Sequence, residues 1–511
     1  MRSEQQPEVG VLERTFVDTG ILPQAGTPNG QIIYGRKGTG KSHLLRVLAA
    51  TVGREASDLA IYLDLRTLGS TDLITDQGRP LSLRCISLYR DLLSAIQYQL
   101  LDVATDPRRR TSGAGFEQIS KLADVLRRFA RTVTEREITS ELRTSESEEN
   151  RAGLSLGPHA VGMNLGLSEK NAASAKVSNR YTETVEDILV FAEVAEVLGR
   201  AISAMGIRRL WILLDEWSAI PPDAQPYVAD FIKRSLLPVP QLTVKIAAVQ
   251  NRSHFSFVTP QRQRIGFELG SDIQASLDLD DYYIYDRAPS SVVAHFSELL
   301  YRHLLAETPN DYLYERYKVA DNENLVARLF SDPSAFAELV RAGEGIVRDF
   351  LGIFTACFFN ALSRRAGAID SGSVRDSART WFETDKAPNL DQVEARVLRN
   401  IIVAVLGRNQ GRYFLLGHEV SSSEKIQSLY ELRVLHLIRR GLSSPENAGS
   451  RYSLFTLDYG TYADLLGDTE REFEIESAEA DSLQLIGPVA GNVLRFTTLD
   501  SAILATEIPH G

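Results

Sequence analysis

Apolar and polar positions follow two patterns along the first hundred residues. Short runs rich in β-branched and aromatic residues, Gln31–Tyr34 and Ala60–Leu65, are typical of buried strands. Between them, Ser42–Thr51 carries apolar residues at helical spacing, and Leu81–Leu101 repeats that pattern. Strand–helix–strand alternation predicts an α/β fold with a parallel sheet covered by helices.

This alternation is interrupted between about 105 and 180. A polar, acidic stretch and two glycine-containing runs predict an insertion that projects from the sheet and includes a hairpin around Gly157-Pro158-His159. The pattern then resumes with a helix and three strands, at Thr184–Met205, Leu210–Leu214, Leu242–Gln250 and Asp281–Tyr285.

The second half of the chain has a different pattern. Residues 290–385 are almost entirely helical in their apolar spacing. The predicted elements after them are a helix, a short strand, a second helix and a strand beyond a turn, at Leu390–Leu406, Arg412–Leu416, Gln427–Arg440 and Arg451–Asp458. Residues 468–481 hold seven acidic residues against one arginine and predict an acidic tail.

Composition narrows the protein class. The 511 residues are 43% apolar and 24% charged, as in globular proteins of several domains. Cys85 and Cys357 stand far apart, which argues against a disulfide framework and for a reducing compartment. The longest apolar stretch, Phe350–Leu362, is too short to cross a bilayer, so we expect a cytoplasmic protein without a membrane contact. A net charge of −11 restricts nucleic-acid binding to local patches.

A phosphate-binding loop is the most specific motif. The run Gly35-Arg36-Lys37-Gly38-Thr39-Gly40-Lys41-Ser42 fits the pattern G-x-x-x-x-G-K-[ST], with His43 next in the helix. Glycines let backbone N–H groups converge on phosphates at a helix N-terminus. Lys41 is predicted to reach the β- and γ-phosphates, and Ser42 to bind Mg²⁺. The predicted ligands are therefore ATP and Mg²⁺.

The strand Leu210–Leu214 ends in Asp215 and Glu216. Ligands of open α/β sheets bind at the carboxyl ends of strands, so Asp215 is predicted to hold the metal. Glu216 is predicted to orient or deprotonate the attacking water. Without the loop, a buried strand ending in a solvated turn would explain the pair equally well.

The strand Leu242–Gln250 leads into a polar segment. Asn251, with Gln250 as the alternative, is predicted to contact the γ-phosphate or the water; a polar strand cap is the competing interpretation. Three arginines follow, any of which either acts as an arginine finger in a neighbouring subunit's site or is an ordinary surface arginine: Arg252, Arg262 and Arg264.

The order of the phosphate-binding loop, the strand that ends in Asp215 and Glu216, the strand Leu242–Gln250 and the helical segment resembles that of an AAA+ ATPase. Gly343–Phe350 resembles the sensor-2 motif of the AAA+ lid, which implies that Arg348 folds back onto the γ-phosphate. A helix-surface arginine paired with Asp349 or Glu344 is the alternative. With a helix–strand–helix–turn–strand segment after it, the chain is similar to the origin-recognition-complex (ORC/CDC6-like) family, whose minimal members lack the insertion.

This resemblance implies a division into an AAA+ core, a helical lid, a winged helix and the acidic tail, at 1–289, 290–387, 388–467 and 468–511. It also implies an ATP-hydrolysing switch that assembles with copies of itself or other AAA+ subunits and engages duplex DNA or a DNA-bound partner. Residues 391–465 carry a net charge of only +1, whereas 107–131 has seven basic and two acidic residues. Two alternatives remain: a STAND-type signalling ATPase whose winged helix contacts protein, and an inactive nucleotide-binding scaffold.

Overall fold

A parallel sheet forms the centre of the molecule. The computed structural model describes residues 9–55, 57–69, 80–106, 113–127, 190–309, 311–409, 412–443, 451–463 and 496–505. The sheet has five strands in the order β2-β3-β4-β1-β7, all parallel. Their bounds are β1 Gln31–Tyr34, β2 Asp58–Asp64, β3 Arg209–Asp215, β4 Leu242–Ala248 and β7 Gln274–Asp278. Between β4 and β7, β5 Ser256–Val258 and β6 Arg264–Gly266 form an antiparallel hairpin.

Helices cover both faces of this sheet. The helices of this part are α1 Val9–Thr15, α2 Ile21–Ala25, α3 Lys41–Gly53, α4 Leu81–Thr105, α5 at 113–127, α6 Phe191–Ala204 and α7 Gln225–Ser235. Neighbouring strand residues belong to different cores: Ile32 and Ile212 pack with α4, α6 and α7, whereas Ile33 and Leu213 pack with α3. Because both faces are buried, the strands are continuously apolar, as the sequence pattern indicated.

One strand prediction is wrong. The last strand of the sheet is β7, and the predicted strand Asp281–Tyr285 instead lies among 3-10 turns. Of the five β7 residues only Leu277 is buried, because β7 is an edge strand, so its sequence carries little apolar signal. Tyr283 is buried for another reason, since its ring stacks on His295 at 4.4 Å.

The α5 helix lies within the predicted insertion. Its apolar side joins the core of α4 and the sheet through Ile119, Leu122, Val125 and Leu126, so this part packs on the sheet and does not project. Residues 128–189 lie outside the described residues, as does the acidic run 468–481. Residues 128–189 hold the remainder of the predicted insertion to about 180, with the hairpin at Gly157-Pro158-His159.

A helical segment follows the sheet. Its helices are α8 Pro289–Glu307, α9 Tyr312–Tyr317, α10 Asn322–Leu329, α11 Pro333–Ala342, α12 Val347–Ser363 and α13 Ser371–Trp381, with a π-helical turn at Phe382–Lys386. Aspartates cap three of these helices; Asp332, for example, accepts from the backbone N–H groups of Ser334 and Ala335. Phe296, Phe336 and Phe350 pack in the same core as Ile33 of the sheet. Within the described ranges, no helix combines the length and hydropathy that crossing a membrane requires.

The C-terminal unit has its own small sheet. Its elements are α14 Gln392–Asn409, β8 Tyr413–Gly417, α15 His418–Ser421, α16 Glu424–Glu431, β9 Leu435–Ser443, β10 Arg451–Leu457, α17 Tyr459–Ala463 and β11 Thr497–Leu499. The strand order is β11-β8-β10-β9. β10 pairs antiparallel with β8 and β9, and β11 pairs parallel with β8.

The predicted helix Gln427–Arg440 is wrong over its second half. Helix α16 ends at Glu431, and Arg433 adopts a left-handed conformation with φ 64° before β9 begins. Leu437 packs with one apolar cluster and Ile438 with another, which is the alternation of a strand. The leucines of the two elements coincide with helical spacing by chance.

Candidate nucleotide-binding site

The phosphate loop connects β1 to α3 in the way the motif requires. Gly38 and Gly40 have φ values of 92° and 100°, which residues with a side chain rarely adopt. A Cβ at Gly38 would lie 2.8 Å from the Cβ of Arg348, so only glycine permits this approach of α12. The backbone N–H of Arg348 donates to the Gly38 carbonyl at 3.2 Å. The helical segment therefore touches the loop directly.

Lys41 lies inside the loop. Its Nζ donates to the carbonyl oxygens of Gly35 at 2.8 Å and Arg36 at 3.0 Å. Burial lowers the pKa of Lys41, and the nearby carboxylates of Glu216, Asp280 and Asp215 oppose that effect. The lysine and the acidic end of β3 thus form one electrostatic site.

Asp215 and Glu216 have different surroundings at the end of β3. Asp215 is fully buried; its Oδ1 accepts from the Glu216 backbone N–H at 2.9 Å, and its Oδ2 accepts from the Tyr62 hydroxyl at 2.6 Å. Glu216 is left-handed, with φ 56° and ψ 48°. Sequence reasoning missed Tyr62, whose only signal is a hydroxyl within the apolar strand β2.

A cavity of about 600 Å³, the loop cavity, opens beside these groups. The predicted residues that line it are Lys37, Gly38, Gly40, Lys41, Ser42, His43, Glu216 and Arg348. Residues that the sequence did not reveal complete it, among them Leu12, Thr15, Arg66, His303 and Asp385. The cavity has the size of a small-molecule site, with an apolar portion and converging charged groups.

His43 joins the N-terminal helix to the loop cavity. Its Nε2–H donates to the Leu12 carbonyl at 2.7 Å, and its ring meets Phe16 edge-on at 5.3 Å. Burial lowers the pKa of His43 to about 4, so the imidazole is neutral at pH 7. In the described residues, α1 therefore forms a wall of the site. No sequence motif predicted this position of α1.

Other predicted residues lie elsewhere. Gly35, Arg36, Thr39 and Asp215 do not line the loop cavity. Asn251 and Gln250 line a second cavity of about 470 Å³, the sensor cavity, which lies between the end of β4 and the C-terminal unit. Among the three finger candidates, Arg252 pairs with Glu431 of α16, whereas Arg262 and Arg264 are exposed.

The sheet order decides the fold. β4 lies between β1, which leads into the phosphate loop, and β3, which ends in the acidic pair, and the helical segment closes on the loop. The chain has the fold of an AAA+ P-loop ATPase. The fold class predicted from the sequence is confirmed.

Comparisons with known proteins give matches among solved structures alone. No family model and no curated protein matches the chain. Among solved structures, the Aeropyrum pernix ORC2 protein, in ADPNP–ADP complexes, is similar at 13% identity and a TM-score of 0.34, with 94% of this chain and 95% of that chain covered. The Aeropyrum pernix ORC1 protein in complex with DNA is similar at 15% identity and 0.33, with 95% and 100% covered.

The Walker-type ATPase PABY2304 of Pyrococcus abyssi is similar at 11% identity and a TM-score of 0.32, with 91% of this chain and 97% of that chain covered. The matches thus include ORC proteins, which belong to the family that this AAA+ chain resembles in sequence. Matches at these identities and TM-scores do not show which residues act or which partners bind. The fold assignment therefore rests on the sheet order and the loop.

Proposed function

We propose that this AAA+ protein binds and hydrolyses ATP and uses the cycle as a switch. One observation carries the proposal: Lys41, Ser42, Glu216 and Arg348 line a single cavity at the carboxyl edge of the sheet. Loop N–H groups and Lys41 would bind the phosphates. The apolar side chains of Leu12 and Leu351 at the cavity wall would suit the base.

The residues present fit a magnesium ion. Ser42 offers a hydroxyl at the start of α3, and Asp215 offers a carboxylate that Tyr62 and the Glu216 N–H hold in place. Oxygen ligands of this kind are what Mg²⁺ prefers, and the bound ion would neutralise phosphate charge. Ser42 and Asp215 are therefore proposed to hold it, directly or through water.

Glu216 is proposed to orient and deprotonate the attacking water, because it lines the loop cavity. Arg348 is proposed to stabilise negative charge on the γ-phosphate from the opposite wall. Asn251 remains the proposed sensor amide. It follows the strand between loop and acids but borders the sensor cavity, so this role requires the 250–252 turn to move toward the phosphates.

The C-terminal unit has the element order of a winged helix, with β9 and β10 as the wing. We therefore propose that assemblies of this chain, with itself or other AAA+ subunits, engage duplex DNA or a DNA-bound partner. Arg451 is exposed at the wing, and the basic start of the insertion adds charge. Cys85 and Cys357 are buried and free, which suits a cytoplasmic location.

A second candidate function is a STAND-type signalling ATPase whose winged helix contacts protein. The observation that favours it is the placement of α16, the counterpart of a DNA-reading helix. Its Tyr430 hydroxyl donates to Asp280 at 3.2 Å, and its Glu431 pairs with Arg252. In this conformation the helix faces its own ATPase core.

The deciding experiment is the steady-state ATPase rate with and without duplex DNA, with Glu216→Gln as the blank. A several-fold increase that declines with added salt supports a DNA-coupled switch. A rate above the blank that ignores DNA favours the signalling candidate. A rate equal to the blank overturns the hydrolysis proposal.

A further inference from the structure

Arg36 is a phosphate-loop residue whose side chain points away from the loop cavity. Its backbone N–H and its Nε both donate to Asp280, at 2.9 and 3.1 Å. Asp280 follows the edge strand β7. The residue is thereby fixed in both backbone and side chain by one carboxylate.

The outer end of Arg36 is held by the C-terminal unit. Its Nη1 donates to His436 Nδ1 at 2.9 Å and to the Leu435 carbonyl at 3.4 Å. Its guanidinium lies 4.5 Å from the centre of the Tyr430 ring. These partners are some 400 residues away in the sequence, and Arg36 is only 5% exposed. A buried arginine with these contacts has little freedom to move.

The position of Arg36 fixes the rest of the loop. Its carbonyl oxygen accepts from Lys41 Nζ at 3.0 Å and from the Thr39 hydroxyl at 2.9 Å. A displacement of Arg36 would therefore move the ammonium and the loop backbone that face the phosphates. The contact with His436 acts on the site through these two bonds.

The other ring nitrogen of His436 is also held, by a buried network of charged side chains. Its Nε2 lies 3.2 Å from Asp458 Oδ1, and Lys386 bridges Asp458 to Asp349 Oδ2, the latter at 3.0 Å. Asp349 also pairs with Arg433 and is adjacent to Arg348 of the loop cavity. The members of this network are all buried, namely His436, Asp458, Lys386, Asp349 and Arg433. Burial lowers the pKa of His436, so a neutral ring donates to Asp458 through Nε2 and accepts from Arg36 at Nδ1.

We propose that His436 and Tyr430 are positioning residues of the nucleotide site, which hold the phosphate loop in its binding conformation through Arg36. Docking of the C-terminal unit and nucleotide binding are then coupled, and the coupling is reciprocal. A partner that pulls this unit away weakens nucleotide binding, and bound nucleotide strengthens the docking. The inference rests on the proposed ATP site.

Equilibrium binding of a fluorescent ATP analogue with Mg²⁺ to the full chain tests this proposal. We expect His436→Ala to weaken binding by about five- to tenfold. The control is Tyr459→Phe, which removes another buried contact between the C-terminal unit and the helical segment, the hydroxyl bond to Glu338, without touching Arg36. It should bind the analogue like the wild type. Equal affinity of His436→Ala and wild type overturns the proposal, and so does an equal loss in the control.

Two variants that each keep one of the two hydrogen-bonding positions of the His436 ring provide a second test if His436→Ala is poorly folded. His436→Asn places an amide oxygen near the position of Nδ1 and keeps an acceptor for Arg36, whereas His436→Gln reaches toward Asp458 instead. We expect the Asn variant to bind more tightly than the Gln variant, with melting temperatures without nucleotide as the check on folding. The reverse order overturns the proposal.

A double variant separates this route from general loosening of the interface. In an Arg36→Ala background, His436→Ala should cause no further loss of affinity, because the proposed path is already broken. Additive losses overturn the proposal while leaving the ATP site intact. A wild-type chain that binds no analogue overturns the proposed function, and this inference with it.

Discussion

Two buried lysines lie at opposite ends of the central sheet and have different surroundings. Lys41, at the carboxyl edge, binds two loop carbonyls and faces carboxylates across a cavity. Lys245, on β4 near the start of β1, donates to the Gln31 amide oxygen at 3.0 Å and lies 5.6 Å from the Trp211 ring centre. Burial lowers the pKa of Lys245 to about 7, and among the described residues no carboxylate opposes that effect.

A third lysine extends the comparison. Lys386 is 1% exposed and Lys245 is 0% exposed, yet Lys386 bridges Asp349 and Asp458. Burial acts against its charge, but the two carboxylates outweigh it and raise its pKa. Burial alone therefore does not indicate a lysine's role. Carboxylates lie near Lys41 at the ligand site, contact the ammonium of Lys386 directly in the ion network, and are lacking around Lys245 among the described residues. The placement of carboxylates therefore separates these three roles.

The largest expected effect is on stability. Lys386→Met leaves two buried carboxylates without their shared cation, so we expect the free energy of unfolding to fall by about 3–5 kcal/mol. Urea unfolding at pH 7 measures this loss. Lys121→Met, which breaks an exposed pair with Glu117, is the matched control and should leave stability nearly unchanged. Similar losses in both variants would contradict the assignment of Lys386 to a buried network.

Lys41→Ala should act on binding instead. Removing the phosphate-contacting ammonium should weaken ATP affinity by about 30- to 150-fold, or about 2–3 kcal/mol, as for a charged hydrogen bond. Calorimetric titration with Mg²⁺-ATP measures it. Stability without nucleotide should not fall by a comparable amount, because Lys41 bridges no buried carboxylate pair. Unchanged affinity would remove Lys41 from the site.

Lys245→Met should stabilise the protein by about 1–2 kcal/mol at pH 7, because it removes a buried amine whose protonated form meets no carboxylate among the described residues. The unfolded lysine has a pKa near 10.4 and the folded one near 7. As pH falls from about 10 to 7, the unfolded chain takes up a proton that the folded chain does not, so wild-type stability declines. The advantage of the Met variant should thus grow over that window and level off below pH 7, as urea unfolding at several pH values would show. A constant difference would argue against a lowered pKa.

The smallest expected effect concerns the partner of Asp215. Tyr62→Phe removes the hydroxyl bond to Oδ2, so ATP affinity in Mg²⁺ should fall by about fivefold, while affinity in a chelator stays constant. Binding titrations in both conditions separate the two. Tyr89→Phe loses a buried hydroxyl contact with Ser235 on the far side of the core and is the matched control. Equal losses with and without Mg²⁺ would contradict a role at the metal.

The sequence revealed the loop and the acidic pair because their chemistry depends on neighbours within a few residues. Gly35–Ser42 and Asp215-Glu216 are local patterns, and the strands that carry them are apolar on both faces. It did not reveal β7, an edge strand with one buried apolar residue, or the end of α16 at Glu431. The sequence did not identify Tyr62 or His436. Their proposed roles depend on which strands pair and on how the C-terminal unit docks, and no local sequence pattern encodes either.

The apolar cores determine which part of the molecule can come away from the rest. The helical segment shares its core with β1 and α3, so swinging it open would expose apolar surface to water at high cost. The C-terminal unit keeps separate clusters, and in the described residues only Tyr459 and Ala463 of α17 reach into that shared core. Its other contacts with the rest of the chain include the packing of Phe382 and Ile284 against those clusters and a set of ion pairs and hydrogen bonds, such as Lys386 with Asp458 and Arg36 with His436. Undocking this unit would therefore expose less apolar surface than opening the helical segment, and charged partners that compete for these ion pairs would favour it.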